Sequence, residues 1–200
     1  MDALRKLEGM VGGVWHGVSF YEQVPECPQG TYKAKGVRFC EATVVARVHK
    51  VLMSPYDLTC PGAMFAFGCG ESVKEEMILK LREKGYSEDY LERIMEETPR
   101  FEEPPAAIGL DMENPPDIVM AALVPDQAMR LIQLYERAQD RPLSAVVSSV
   151  MSICANIAVR TLQSGDLAIS FGCVDARAFG GIPRERLVAG MPYAMAQALV

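Results

Sequence analysis

The side chains best suited to chemistry in this 200-residue chain are its six cysteines, Cys27, Cys40, Cys60, Cys69, Cys154 and Cys173. No two form a Cys-x-x-Cys pair, which excludes paired zinc knuckles, thioredoxin-type redox motifs and ferredoxin-type cluster runs. The two histidines, His16 and His49, lie far apart and show no His-x-x-x-His spacing, so a histidine-rich mononuclear site is excluded too. Phosphate-binding glycine loops and the Gly-x-Ser-x-Gly elbow are absent. Chemistry here therefore depends on thiols that folding brings together.

Each thiol has a local context. Cys173 follows Gly172 after a strand and opens a short helical segment carrying Asp175 and Arg177. A helix N-terminus and a nearby guanidinium both favour thiolate over thiol. Cys60, just before Pro61, stands at a similar helix start, and Cys40 and Cys154 sit near the starts of, or inside, apolar helices. Four thiolates converging from separate elements would suit an iron–sulfur cluster or zinc, both soft-ligand sites. Dispersed spacing leans toward a cluster, because structural zinc commonly recruits ligands in close pairs. Against this stands a plain alternative, that free cysteines are small core residues with no chemistry at all.

The elements that must position these residues follow from periodicity and punctuation. Residues 1–12 read as a helix and Val14 to Tyr21 as a strand, closed by the Pro25, Pro28 and Gly30 cluster. Phe39 to Val51 has apolar residues at helical spacing, with Cys40 in the first turn. Ser54 to Asp57 is a turn, and Pro61 suits a first helical position. Ser72 to Glu97 is charged and helical with a break at Gly85, and Ser87 starts the second piece. Pro99 to Pro105 is a linker. Ala106 to Leu110 and Ile118 to Val124 read as buried strands, followed by a helix from Gln127 to Ala138. Leu143 to Leu162 reads as an apolar helix, Leu167 to Phe171 as a strand, and Pro183 to Leu187 and Tyr193 to Leu199 as short closing helices. Mixed elements without strict alternation give an α+β fold in one domain over 1–200, with α/β as the near alternative.

A faint internal echo divides the chain into halves, 13–98 and 105–200. Cys40, Arg47, Ser54, Asp57-Leu58 and Phe67-Gly68-Cys69 are echoed by Cys154, Arg160, Ser164, Asp166-Leu167 and Phe171-Gly172-Cys173. The gaps differ, and Thr59 to Gly62 has no counterpart in the second run.

Composition narrows the function classes. Half the residues are apolar and the net charge is −6, with no basic stripe, which argues for a packed core and against a nucleic-acid partner. The charged N-terminus lacks a secretory apolar run, and the apolar runs elsewhere are too short to span a bilayer. A cytoplasmic protein with no membrane association is expected, and a homo-oligomer stays open. Six cysteines in a reducing compartment point to buried thiols, a metal site or a reactive thiol rather than disulfides.

Several short motifs, in order, resemble the DUF169 family of uncharacterised archaeal and bacterial proteins. They are Arg38-Phe39-Cys40-Glu41-Ala42, Thr59-Cys60-Pro61-Gly62-Ala63, Pro116-Asp117-Ile118-Val119, Pro125-Asp126-Gln127-Ala128-Met129, Cys154-Ala155-Asn156, Ile169-Ser170-Phe171-Gly172-Cys173 with Arg177, and Gly190-Met191-Pro192. The resemblance runs from about Val14 to Pro192. It implies a set of four cysteines, Cys40, Cys60, Cys154 and Cys173, with Cys27 and Cys69 as extras. Many members carry a further cysteine where this chain has Ala176. The resemblance implies no activity. With it, three readings stand. In one, the four cysteines ligate a metal, foremost a [4Fe–4S] cluster with zinc as the alternative, and Arg38 and Arg177 stabilise its charge, in a redox or metabolic role with a protein partner. In another, Cys173 is the nucleophile of a thiol enzyme and Arg177 holds an anionic substrate. In the third, the thiols are core residues of a non-catalytic accessory protein that binds no metal.

Overall fold

The computed structural model describes residues 2–200. Its elements are α1 (Asp2–Met10), β1 (Trp15–Tyr21), β2 (Tyr32–Lys33), α2 (Phe39–Val45), β3 (Val51–Met53), α3 (Pro61–Ala66), α4 (Glu71–Glu83), α5 (Glu88–Glu97), β4 (Ala107–Leu110), β5 (Ile118–Leu123) and α6 (Pro125–Gln139), then a π-helical segment (Cys154–Val159) running into α7 (Arg160–Ser164), β6 (Ala168–Ser170), α8 (Val174–Ala178), β7 (Leu187–Pro192) and α9 (Tyr193–Leu199). The fold is a single compact α+β domain, and the seven strands form one sheet ordered β2-β3-β4-β1-β5-β7-β6. All pairings are antiparallel except β2 with β3.

Strand residues alternate between two apolar layers, as a sheet covered on both faces requires. On β5, Ile118 and Met120 enter the larger cluster while Val119, Ala121 and Leu123 enter the smaller one. The larger cluster gathers α2, α3, α4, α5 and the π-helical segment, and it contains Cys40 and Cys154. The smaller cluster is built by α1, α6 and α9, with Leu7, Leu131, Tyr135 and Leu199 among its buried side chains. All the thiol chemistry therefore lies on one face of the sheet. Among the described residues no helix is long and apolar enough to cross a membrane.

Three segments differ from their sequence reading. Phe39 to Val51 is not one helix: α2 ends at Val45, Val48 is 75 % exposed, and Val51 to Met53 joins the sheet as β3. Leu143 to Ser149 is irregular, with Val146 and Val147 exposed, and helical structure begins only at Cys154. Pro183 to Leu187 is a turn into β7, the strand that joins β5 to β6. Its glycine explains why it escaped the pattern. A Cβ at Gly190 would stand 2.5 Å from Ile157 Cγ2, so the π-helical segment presses directly on the strand there.

Candidate metal centre

The thiol-bearing positions are set by helix starts. Arg38 precedes α2, and its backbone N–H donates to Glu41 Oε2 at 2.6 Å, half of a capping box that fixes the first turn holding Cys40. Cys60 is the residue before α3, where Pro61 occupies the first helical position because no N–H is needed there. Cys173 precedes α8, and its sulfur accepts the Ala176 N–H at 3.4 Å. Cys154 opens a π-helical segment, a wound-out turn of a kind often found at functional sites. Just upstream, Met151 adopts φ 49°, a left-handed conformation that a methionine enters only when its surroundings impose it. Buried Asn156 stitches this region, donating to the Val150 carbonyl and accepting from the Arg160 guanidinium.

These separate elements deliver Cys40, Cys60, Cys154 and Cys173 to the walls of one cavity of about 20 Å³, which Arg38, Phe39, Ala63, Ile153, Asp175 and Ala176 complete. A larger cavity of about 80 Å³ shares Cys60, Cys154, Cys173 and Asp175 with it, and opens outward between Met77, Leu81, Lys84 and Met151. Tyr86 and Ser149 join over this second space through a 2.9 Å hydrogen bond. Cys40 and Cys154 are 8 % and 7 % exposed, whereas Cys60 and Cys173 are partly exposed. Cys69 and Cys27 line neither cavity.

The electrostatics follow from this gathering. Burial pushes the Cys40 thiol up to about 12, and the negative charge that Cys173 and Cys60 would carry adds to the shift. Burial also raises Cys154 well above its ordinary value, with Cys60, Cys173 and Cys40 adding repulsion. Cys60 is raised chiefly by burial, against hydrogen bonding from the Ala63 N–H, with Cys173 next. Without a cation these three thiols hold their protons at neutral pH. The Ala176 N–H donates to the Cys173 sulfur, and the backbone near Glu41, Ala63 and Ala155 partly offsets the rise of the other three thiols. Such donors favour the thiolate form, which is the form that ligates metal.

The two arginines are placed differently. Arg38 lines the cavity itself, with its guanidinium 4.3 Å over the Phe179 ring and 3.7 Å from Glu41. Arg177 spends its guanidinium on backbone carbonyls, those of Phe171, Pro183 and Arg186. It therefore clasps the loop that follows Cys173 rather than facing an open site. Gly180, in that loop, has no room for a side chain: a Cβ there would lie 2.4 Å from Cys40 Sγ and 2.8 Å from the Ala176 carbonyl. The Cys173 loop and the Cys40 helix thus lock directly together. Sequence reasoning missed this glycine and the outer cavity, since neither has a local signature. Among the described residues, no group of three or more His, Cys, Asp or Glu side chains is drawn close enough to hold a single metal ion.

The DUF169 family model, described as uncharacterised ArCR, matches residues 17–200. The chain belongs to the DUF169 family. That match covers β1 from Gly17 and every element after it, including all the cysteines that line the cavity. Searches of curated proteins and of solved structures returned no match.

Proposed function

We propose that this DUF169 protein uses Cys40, Cys60, Cys154 and Cys173 as thiolate ligands of an iron–sulfur cluster, with [4Fe–4S] the form expected of four such ligands. The observation that carries the reading is that four elements distant in sequence place one cysteine each on the wall of a single cavity. Burial and mutual repulsion disfavour the thiolates in the metal-free protein, and a bound cation would relieve both. The donor type suits such a group: four soft sulfurs on one wall, with the Arg38 cation beside them.

When bound, such a cluster supplies one-electron transfer, or Lewis acidity at an iron left open. This chain's own residues do the rest. Backbone amides hold negative charge on the sulfurs, Arg38 adds a cation at the wall, and Arg177 fixes the Cys173 loop. The cavity beside Cys60, Cys154 and Cys173 gives the centre an outward face for a small molecule or a redox partner protein. Ligation by free thiols fits a reducing cytoplasmic compartment.

The thiol-enzyme reading has less support. Three of the five Arg177 guanidinium donors are spent on backbone carbonyls, and the titratable neighbours in the outer cavity besides the cysteines are Lys80, Lys84, Tyr86 and Asp175 rather than an imidazole. Protein purified without oxygen and analysed for iron, sulfide and zinc tests the proposal. Visible charge-transfer absorbance with iron and sulfide in equal amounts supports the cluster. Zinc alone would keep the thiol site and replace its occupant. Protein that stays colourless and metal-free through reconstitution would refute both.

A further inference from the structure

His16 stands on β1, the central strand, with its side chain 8 % exposed. Its Nδ1 lies 2.6 Å from Asp111 Oδ2, while Asp111 Oδ1 accepts the Gly17 N–H at 2.7 Å. Asp111 holds this pose at φ 53°, a left-handed conformation that a non-glycine residue adopts only where its surroundings hold it there. Strain is thus held where a carboxylate orients an imidazole. The carboxylate contact engages Nδ1, and Nε2 has no hydrogen-bond partner among the described residues.

That ring borders a cavity of about 20 Å³, with Thr43 and Val44 of α2, Arg47 in the turn that follows it, Met120 of β5 and Arg186 around it. Arg186 donates from one terminal nitrogen to the Ala122 carbonyl at 3.1 Å, while its Nε is buried and unpaired. A buried N–H without an acceptor is destabilising, so the space beside it should hold one. The side chains of the remaining walls, Val14, Ala121, Ala122, Ile182 and Val188, are apolar. Two cationic side chains and an oriented imidazole therefore surround a small, partly enclosed space.

We propose that this cavity is a binding site for a small planar oxyanion of the carboxylate type. One oxygen accepts from Arg186 Nε, the other from His16 Nε2 as the imidazolium forms, and Asp111 offsets the new charge on the opposite nitrogen. Arg47 supplies the exposed cation at the mouth. The volume admits the carboxylate end of an anion, and the planar Arg186 Nε–H and His16 Nε2 favour a planar acceptor pair. The site is separate from the thiol centre, and the proposal does not rest on the cluster reading.

Sodium formate is the probe, titrated at constant ionic strength against chloride while the imidazole ¹⁵N signals are followed; His16→Asn identifies the His16 pair. Formate should move Nε2 toward its protonated position and saturate, whereas inorganic phosphate should bind far more weakly. Arg186→Lys keeps the charge but loses the planar Nε–H, and should weaken formate at least about tenfold, the loss expected for one charge-assisted hydrogen bond. Arg47→Gln, an exposed change that leaves the core alone, should give a smaller loss that fades at high salt. An Nε2 signal that ignores formate, or that answers chloride equally, would mean that a buried water fills the space and would overturn the proposal. Unchanged affinity in both arginine variants would also overturn it.

Discussion

The two halves of the sheet reach one arrangement by different local means. From the central β1–β5 pair the strands run outward as β4 then β3 on one side and β7 then β6 on the other. On the first side β1 leads to α2, β3 and the α3 that follows Cys60; on the second, β5 leads past α6 to the π-helical segment, β6 and the α8 that follows Cys173. Each half contributes one buried cysteine in a first helical turn and one partly exposed cysteine just before a short helix. The counterpart of Cys173 in this order is Cys60, not Cys69, although Phe67-Gly68-Cys69 repeats the Phe171-Gly172-Cys173 wording. Topology pairs the residues that share the cavity; the local motif pairs residues that do not.

The halves differ in how much support they need. α2 is regular and its cap is local. The second half relies on a π-helical turn, a left-handed Met151 and a loop clasped by Arg177. The second half should therefore be the easier to break.

Where the halves agree, the largest effect is expected with pH. Cys40 has an ordinary value of 9.0 and is raised to about 12 in the fold, and Cys154 is raised in the same direction, so the folded state disfavours both thiolates. Metal-free protein should thus keep these contributions below pH 9.0 and lose stability toward pH 12 for Cys40. The loss approaches about 1.4 kcal/mol per pH unit for each such thiol. Denaturant melts across that range should show the fall, and Cys40→Ala and Cys154→Ala should each flatten it. A flat profile in unmodified protein would contradict the burial account.

Gly180→Ala comes next. Its added methyl meets Cys40 Sγ and a backbone carbonyl, and overpacking of this kind costs about 1–3 kcal/mol. A lowered melting temperature together with lost metal retention is expected, because the clash falls between two proposed ligands. Arg177→Gln should cost about 1–3 kcal/mol by stripping donors from the clasped carbonyls. Arg38→Gln on the other half should cost less than about 1 kcal/mol, since it loses a stacked cation and a partly exposed ion pair. Paired thermal melts read both, and equal losses would remove the asymmetry. The smallest effect belongs to Cys69→Ala, which should leave metal content unchanged despite a thiol that burial raises to about 11.

Much of this frame was legible in the residues. Ser87 caps α5 by accepting the Tyr90 N–H, and Pro125 begins α6 with Gln127 reaching back to the Val124 N–H, as side-chain chemistry dictates. β1, β4 and β5 declared themselves through β-forming and apolar runs. The losses have physical causes. Val51 to Met53 continues an apolar spacing that looks helical, yet sheet pairing with β4 claims it. β7 contains Gly190 because Ile157 crowds it, so its sequence carries no strand pattern. The α8 start at Cys173 could be seen locally, but the clasp by Arg177 and the contact of Gly180 with Cys40 are long-range and left no mark in the chain.

The central claim is that one residue from each of four elements makes a single ligand set. Iron and sulfide content of anaerobically purified protein, compared with Cys40→Ala, Cys60→Ala, Cys154→Ala, Cys173→Ala and Cys69→Ala, tests it most directly. The account predicts cluster in the unmodified protein and in Cys69→Ala, and its loss or conversion in each of the other variants. Iron that survives all four of those changes, or that never binds the folded unmodified protein, would contradict it.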